Sequence, residues 1–210
     1  MSLVAAVLAL TFAAAPAGAT AITAPGGVVA VPSHKFKTFK SSSTARVGIR
    51  PALSTLDDPP SGGCQEDVNA STTGEYDGTT LALIATETSY AGTLICEVGT
   101  PGQTMRYLWI QSSMFINGGL REPQPGPGEC SHEVPTDAPC TEIDSVGSAF
   151  CLAASERCDG FYAATIEYDM LLPDGWVYTG WPSNCQQIGP PELACHAGTE
   201  TYTIPPVYPA

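Results

Sequence analysis

Residues 162–172 read YAATIEYDMLL, and this stretch decides the fold class of the chain. Its apolar side chains occupy every second position, namely Tyr162, Ala164, Ile166, Tyr168, Met170 and Leu172. A period of two places all of them on one face of an extended strand, whereas a helix would scatter them around its axis. The stretch therefore predicts a half-buried β-strand.

A turn signal follows this strand directly. Pro173 presets the backbone angle φ that a turn requires, and Gly175 tolerates the positive φ that other residues avoid. We therefore predict that the chain reverses here. Residues 176–181, which read WVYTGW, would then form the returning strand of a hairpin.

Shorter strand-like runs recur along the rest of the chain. Residues 81–85 and 94–98 flank a turn-like segment at 89–92 and predict a second hairpin. Residues 105–117 and 201–204 predict further strands. The 21 glycines and 19 prolines supply frequent turns. We predict an all-β fold, a disulfide-stapled antiparallel β-sandwich of about six to eight strands, with little or no helix in the mature domain.

The chain contains eight cysteines, an even number that is typical of a disulfide framework in an oxidising, extracytoplasmic compartment. They allow on the order of 100 connectivities. We predict local pairing, because local bridges stabilise loops that have no regular ladder of hydrogen bonds. The predicted pairs are Cys64–Cys96, Cys130–Cys140, Cys151–Cys158 and Cys185–Cys195. The third would clasp a hairpin at residues 146–158, for which a helix is the alternative.

The N-terminus has the pattern of a secretory leader. An apolar run at residues 3–15 is followed by Pro16 and by small residues at 17–19, which fits an A-x-A cleavage site. The run is too short to span a bilayer. We predict a signal peptide at residues 1–19, a secreted protein, and no transmembrane segment in the mature chain.

Charge divides the remaining chain into two parts. Residues 20–63 carry a net charge of +3, whereas residues 64–210 carry −16. The basic part ends in a run of Asp, Pro, Ser and Gly at 57–63, a composition that buries too little apolar surface to fold alone. We predict a flexible basic arm at 20–63 and an acidic, disulfide-rich β domain at 64–210. Such an acidic domain would repel the phosphates of nucleic acid.

Three residues give the chain a loose resemblance to immunoglobulin-like domains. Cys96, Trp109 and Cys151 stand in the order Cys-Trp-Cys, with spacings similar to those of that family. The chain departs from the pattern at Ala149, where the family has the tyrosine of its tyrosine corner. The resemblance implies a β-sandwich.

No metal, cofactor or catalytic motif is found in the sequence. His132 and His196 lie near cysteines but without the spacing of a zinc site. Asp67 opens an EF-hand-like run that lacks the required glycine and glutamate. We therefore predict no metal, no cofactor and no catalytic residues. The alternative is a small secreted hydrolase that uses carboxylates, or His132 and His196, as acid and base.

Aromatic residues after the first turn are the best functional lead. Trp176 and Tyr178 share one face of the predicted strand, and Trp181 lies nearby. If exposed, these rings would form a platform for a sugar or a protein; if buried, they would belong to the core. We predict a secreted, non-enzymatic module that binds a polysaccharide, cell-wall or protein partner. A further alternative is a disulfide-stapled inhibitor or interaction protein whose reactive segment is the loop at 123–141.

Overall fold

The computed structural model describes residues 33–53, 61–121, 124–132 and 139–210. The predicted leader lies outside the described residues, as do parts of the predicted arm and of the loop at 123–141. All regular structure in the described segments is β-strand, and none of them contains a helix long and apolar enough to cross a membrane. The strands are β1 (His34–Pro51), β2 (Gly62–Asp77), β3 (Leu83–Glu97), β4 (Tyr107–Ile116), β5 (Gly119–Leu120), β6 (Gly128–Ser131), β7 (Glu142–Leu152), β8 (Gly160–Leu171), β9 (Trp176–Gly180), β10 (Cys185–Gly189), β11 (Glu192–Gly198) and β12 (Tyr202–Ile204).

The strands form two antiparallel sheets with the hydrophobic core between them. Sheet I has the order β7-β3-β2-β1-β9. Sheet II has the order β10-β11-β8-β4-β5, with β12 paired to β8 and β6 paired to β4. Val68 and Leu94 from sheet I meet Ile110 and Ile166 from sheet II in one buried cluster. The predicted all-β sandwich stapled by disulfides is confirmed.

Strand β8 lies at the centre of sheet II, as its alternating sequence predicts. It pairs with β4 along one edge and with β11 and β12 along the other. Tyr162, Ile166 and Met170 are buried on its inner face, whereas Glu167 is exposed on its outer face. Beyond the strand, Gly175 has a φ of 79°, which is the left-handed conformation that the turn requires.

Two predicted hairpins are corrected by the structure. Strand β9 pairs with β1 in sheet I rather than with β8, so residues 162–181 cross between the sheets. Residues 89–92 lie inside the continuous strand β3 and form no turn. Gly92 is needed there for close packing, because a Cβ atom at this position would clash with Ile166 and lie 3.1 Å from Cδ1 of Ile110.

The predicted flexible arm at residues 20–63 is corrected by strand β1. Residues 34–49 pair with β2 in an unbroken antiparallel register. Val47 and Ile49 from this strand belong to the core. The rest of the strand is rich in Ser, Thr and Lys and is held mainly by backbone hydrogen bonds, which composition does not reveal. The folded unit therefore begins before Cys64.

All four predicted disulfides are present. Cys64–Cys96 and Cys185–Cys195 each join residues that lie directly opposite one another on neighbouring strands. Cys151–Cys158 closes the segment that connects β7 in sheet I to β8 in sheet II. Residues 146–158 are therefore neither the predicted hairpin nor a helix.

The resemblance to immunoglobulin-like domains does not extend to the disulfides. Cys96 and Cys151 lie in the same sheet, and each is bonded to another cysteine, Cys64 and Cys158 respectively. The Cys-Trp-Cys spacing therefore does not mark a bridge between sheets. The third member of that pattern, Trp109, lies on the outer face of sheet II, away from the core.

Candidate functional site

The predicted aromatic platform is not formed, because two of its three rings are buried. Trp176 and Tyr178 are only 6% and 9% exposed, whereas Trp181 is 40% exposed. The indole nitrogen of Trp176 donates a hydrogen bond to Oε1 of Gln103 at 2.8 Å, and the hydroxyl of Tyr178 donates one to the Met170 carbonyl at 2.9 Å. These contacts satisfy polar tips inside an apolar environment, so both rings are part of the core.

A different aromatic pair, Tyr107 and Trp109, lies on the outer face of sheet II. Strand β4 alternates strictly: Leu108 and Ile110 point into the core, and Tyr107, Trp109 and Gln111 point outward. The outward side chains are each partly exposed. Because successive outward residues are two positions apart along the strand, Tyr107 lies about 7 Å from Trp109, and Trp109 lies about the same distance from Gln111.

Carboxylates lie on both sides of this aromatic pair. Trp109 is directly opposite Asp169 on β8 and opposite Glu129 on β6. The hydroxyl of Tyr107 forms a hydrogen bond with the side chain of Glu129. Ala194 on β11 lies directly opposite Asp169, and its small side chain protrudes little beside the carboxylate. The indole is thus bordered on two sides by hydrogen-bond acceptors.

A second row of polar side chains continues this surface. Gln111 lies opposite Glu167 on β8, and Glu167 lies opposite His196 on β11. The amide nitrogen of Gln111 donates a hydrogen bond to the Pro125 carbonyl at 2.7 Å, which orients the side chain. Nδ1 of His196 lies 3.7 Å from a carboxylate oxygen of Glu167. The aromatic–acidic face, as we call this surface, comprises Tyr107, Trp109, Gln111, Glu129, Glu167, Asp169, Glu192 and His196.

The electrostatics of the aromatic–acidic face favour neutral or positively charged ligands. Burial, followed by the charges of Glu192 and Glu167, raises the pKa of Asp169 above its ordinary value. Burial and the neighbouring Glu129 likewise raise the pKa of Tyr107, so its hydroxyl keeps its proton and remains a donor. In both cases burial is the largest cause of the raised pKa, and the negative charges of neighbouring carboxylates add to it.

The two histidines considered as acid and base do not converge. His132 directly follows β6, whereas His196 lies on β11. Two strands separate β6 from β11, so the sheet spacing places the histidines at least about 14 Å apart. Among the described residues, Cys151, Glu156 and Cys158 form a group with the spacing of metal ligands, but both of these cysteines are in a disulfide and offer no thiolate.

One ionisable side chain, Glu66, lies between the two sheets. It is 3% exposed, and its atom Oε2 has no hydrogen-bond partner. Burial raises the pKa of Glu66, although a hydrogen bond with the side chain of Tyr168 opposes that shift. Between the ordinary pKa near 4.5 and the raised value, the folded protein keeps a proton that the unfolded chain releases. Stability therefore falls as the pH rises through this window.

Replacing Glu66 by glutamine should stabilise the protein at neutral pH and have a smaller effect at pH 4. The amide keeps the shape of the side chain but removes the cost of a buried charge. Urea unfolding at both pH values measures the difference. The exposed Glu87→Gln on the neighbouring strand is the control and should change the free energy of unfolding by less than about 0.5 kcal/mol. An equal effect of Glu66→Gln at both pH values would exclude protonation as its cause.

The sequence did contain a signal for the aromatic–acidic face. Tyr107, Trp109 and Gln111 alternate with Leu108 and Ile110, a period-two pattern that separates an outer face from a core face. The contributions of β6, β8 and β11 could not be read in this way, because they depend on the order of strands in sheet II. No protein-family model, curated protein or solved structure matches this chain.

Proposed function

We propose that this protein is a non-enzymatic binding module. Its aromatic–acidic face binds a polysaccharide that carries no anionic groups. The observation that carries the proposal is the position of Tyr107 and Trp109, side by side and partly exposed on β4, between carboxylates on both sides. One face of a sugar ring presents C–H groups, which are apolar and slightly positive. They complement the negative face of an aromatic ring.

The polar side chains around the rings match the rim of a sugar. Sugar hydroxyl groups are donors as well as acceptors, and they lose water when the ring stacks. Asp169 and Glu129 can accept their hydrogen bonds, and so can Oε1 of Gln111, whose two N–H groups are held by the Ser112 and Pro125 carbonyls. Because the face is an open sheet surface rather than a closed pocket, it suits the interior of a long polymer.

The negative charge of the protein disfavours anionic polymers as ligands. The whole chain has a net charge of −13, and four carboxylates border the aromatic pair. A polymer that carries phosphate, sulfate or carboxylate groups would be repelled. We place the activity outside the cell, because the four disulfides persist only in an oxidising compartment and the N-terminal residues have the pattern of a leader.

Depletion assays with insoluble cellulose, chitin and xylan test the proposal. Wild-type protein should bind at least one of these neutral polymers, and Trp109→Ala should weaken that binding about fivefold or more, since one stacking contact contributes about 1–3 kcal/mol. The matched control is Trp181→Ala, which removes an exposed indole at the end of β9 in the other sheet. It should bind as wild type does. The proposal fails if no neutral polymer is bound or if Trp109→Ala binds normally.

One observation favours hydrolysis as a second candidate function. The raised pKa of Asp169 is a property of the general acid in glycoside hydrolysis, and Glu167 and Glu129 are further carboxylates on the same face. Incubation of each bound polymer followed by measurement of reducing ends distinguishes the two. New reducing ends that disappear in Asp169→Asn would assign hydrolysis, whereas binding without product supports a module that only binds.

A further inference from the structure

The outer face of sheet I exposes large apolar side chains that no described element covers. Strand β7 contributes Val146, Phe150 and Leu152, and strand β1 contributes Phe36. Phe150 is 61% exposed. Several large exposed apolar side chains on one face of a sheet favour an interaction surface.

Charge on this face is divided between its two edges. The outward side chains of β1 include Lys40 and Arg46, and those of β7 include Glu142 and Asp144. The register places β2 and β3 between these edges, with Arg46 and Glu142 in the same row across the sheet. The face therefore has a positive edge and a negative edge, and the two strands between them contribute the carboxylates of Asp67, Glu75 and Glu87.

We propose that two copies of this protein pair through the outer faces of sheet I. The two-fold axis lies between the stacked sheets and runs parallel to the strands. This operation places β1 of one copy over β7 of its partner, and β2 over β3. A two-fold interface must be self-complementary, and a face with opposite charges at its two edges meets that condition.

The rows of the sheet then pair residues of matching chemistry. Arg46 lies over the partner's Glu142, so each dimer has two such ion pairs. At the other end of the strands, Phe36 lies over the partner's Leu152, and Thr38 lies over the partner's Phe150. No charged side chain lies directly over a like charge of the partner: Asp144 lies over the partner's Thr44, and Asp67 lies over the partner's Thr93.

Small side chains at the centre allow the two sheets to approach closely. A shallow groove of about 710 Å³ crosses the middle of the face, and its lining includes Ser42, Ser71, Ser89 and Ala91. In the dimer, the partner's Val146 lies over Ser42 and fills part of this groove. The filling of the groove and the Arg46–Glu142 ion pairs therefore favour the same arrangement of the two copies.

The size of the face suffices for a stable dimer. Four strands spaced by about 4.8 Å and thirteen residues of β1, at about 3.4 Å each, give roughly 800 Å² per copy. This is the standard area that one partner contributes to a specific protein–protein interface. The pairing would leave sheet II of each copy outermost. If the proposed function holds, the dimer would present two polysaccharide-binding faces on opposite sides.

Sedimentation equilibrium of the full chain over a wide range of concentrations tests the pairing without any polysaccharide. Wild type should form dimers. Arg46→Glu and Glu142→Arg should each weaken association about tenfold or more, because each places like charges over one another twice. The double variant, with both charges reversed, should restore the dimer. Circular dichroism checks that each variant is folded.

Two phenylalanines provide a matched control for the apolar part of the interface. Phe150→Ser should weaken the dimer, whereas Phe161→Ser, which removes a side chain 62% exposed on sheet II, should not. A wild type that stays monomeric at all concentrations overturns the proposal. It is equally overturned if the double charge reversal does not restore association, or if Phe161→Ser is the variant that disrupts it.

Discussion

Removing the disulfide Cys64–Cys96 by changing both residues to alanine should lower the free energy of unfolding by about 4 kcal/mol. The bridge spans 32 residues in sequence and closes the largest loop of the four disulfides. In the chain-entropy model, a larger closed loop removes more conformational freedom from the unfolded chain. Alanine avoids a buried, unpaired hydroxyl, which serine would introduce at these two buried positions. Urea unfolding under oxidising conditions measures the loss.

The disulfide Cys185–Cys195 is the matched comparison. It also joins opposite residues on neighbouring strands, but it spans only 10 residues. The same model gives a loss of about 3 kcal/mol for the corresponding pair of alanines. The Cys64–Cys96 variant should therefore be the less stable of the two. The reverse order would mean that native-state packing around Cys185 and Cys195, rather than loop entropy, controls the effect.

Local signals predicted the features that depend on neighbours in sequence. The alternation of Tyr162, Ile166 and Met170 requires only that one face be buried, and it correctly identified β8. The disulfides were predicted for a similar reason, since three of the four span ten residues or fewer. The turn at Gly175 was also correct, because its positive φ is a property of that residue itself.

Features that depend on distant partners could not be predicted from the same signals. Strand β9 joins sheet I instead of pairing with β8 in sheet II. Its partner is the end of β1, which is more than 120 residues earlier in the chain. Gly92 resembles a turn residue, but its position is explained by Ile166 on the opposite sheet. Strand β1 has few apolar residues, and its stability depends on the ladder that it forms with β2.

The same distinction explains the candidate site. Trp176 and Trp109 both stand in alternating strands, and period two alone does not say which face is covered. Sheet II covers the inner face of sheet I, which holds Trp176. Trp109 lies on the outer face of sheet II and is partly exposed. Only the strand order then brings Asp169 and Glu129 to either side of the indole. A site assembled from several strands is therefore a property of the topology.

Replacing Gly92 by valine should lower the free energy of unfolding by about 3 kcal/mol or more. This glycine on sheet I faces Ile166 on sheet II, and any Cβ atom there would clash with Ile166. Overpacking of a dense core usually costs about 1–3 kcal/mol, and a rigid β-branched side chain between two sheets should reach or exceed the upper end of that range. Chemical denaturation at low protein concentration measures the effect on the isolated fold.

Thr93→Val provides the control, because the neighbouring residue points outward from the same strand and valine has nearly the same shape as threonine. Its effect should stay within about 0.5 kcal/mol. A double-mutant cycle then tests the contact itself: Ile166→Ala alone should cost about 2–5 kcal/mol through its cavity. Together with Gly92→Val it should cost less than the sum, because the valine fills the space that the isoleucine leaves. Strict additivity would show that Gly92 and Ile166 do not limit the approach of the two sheets.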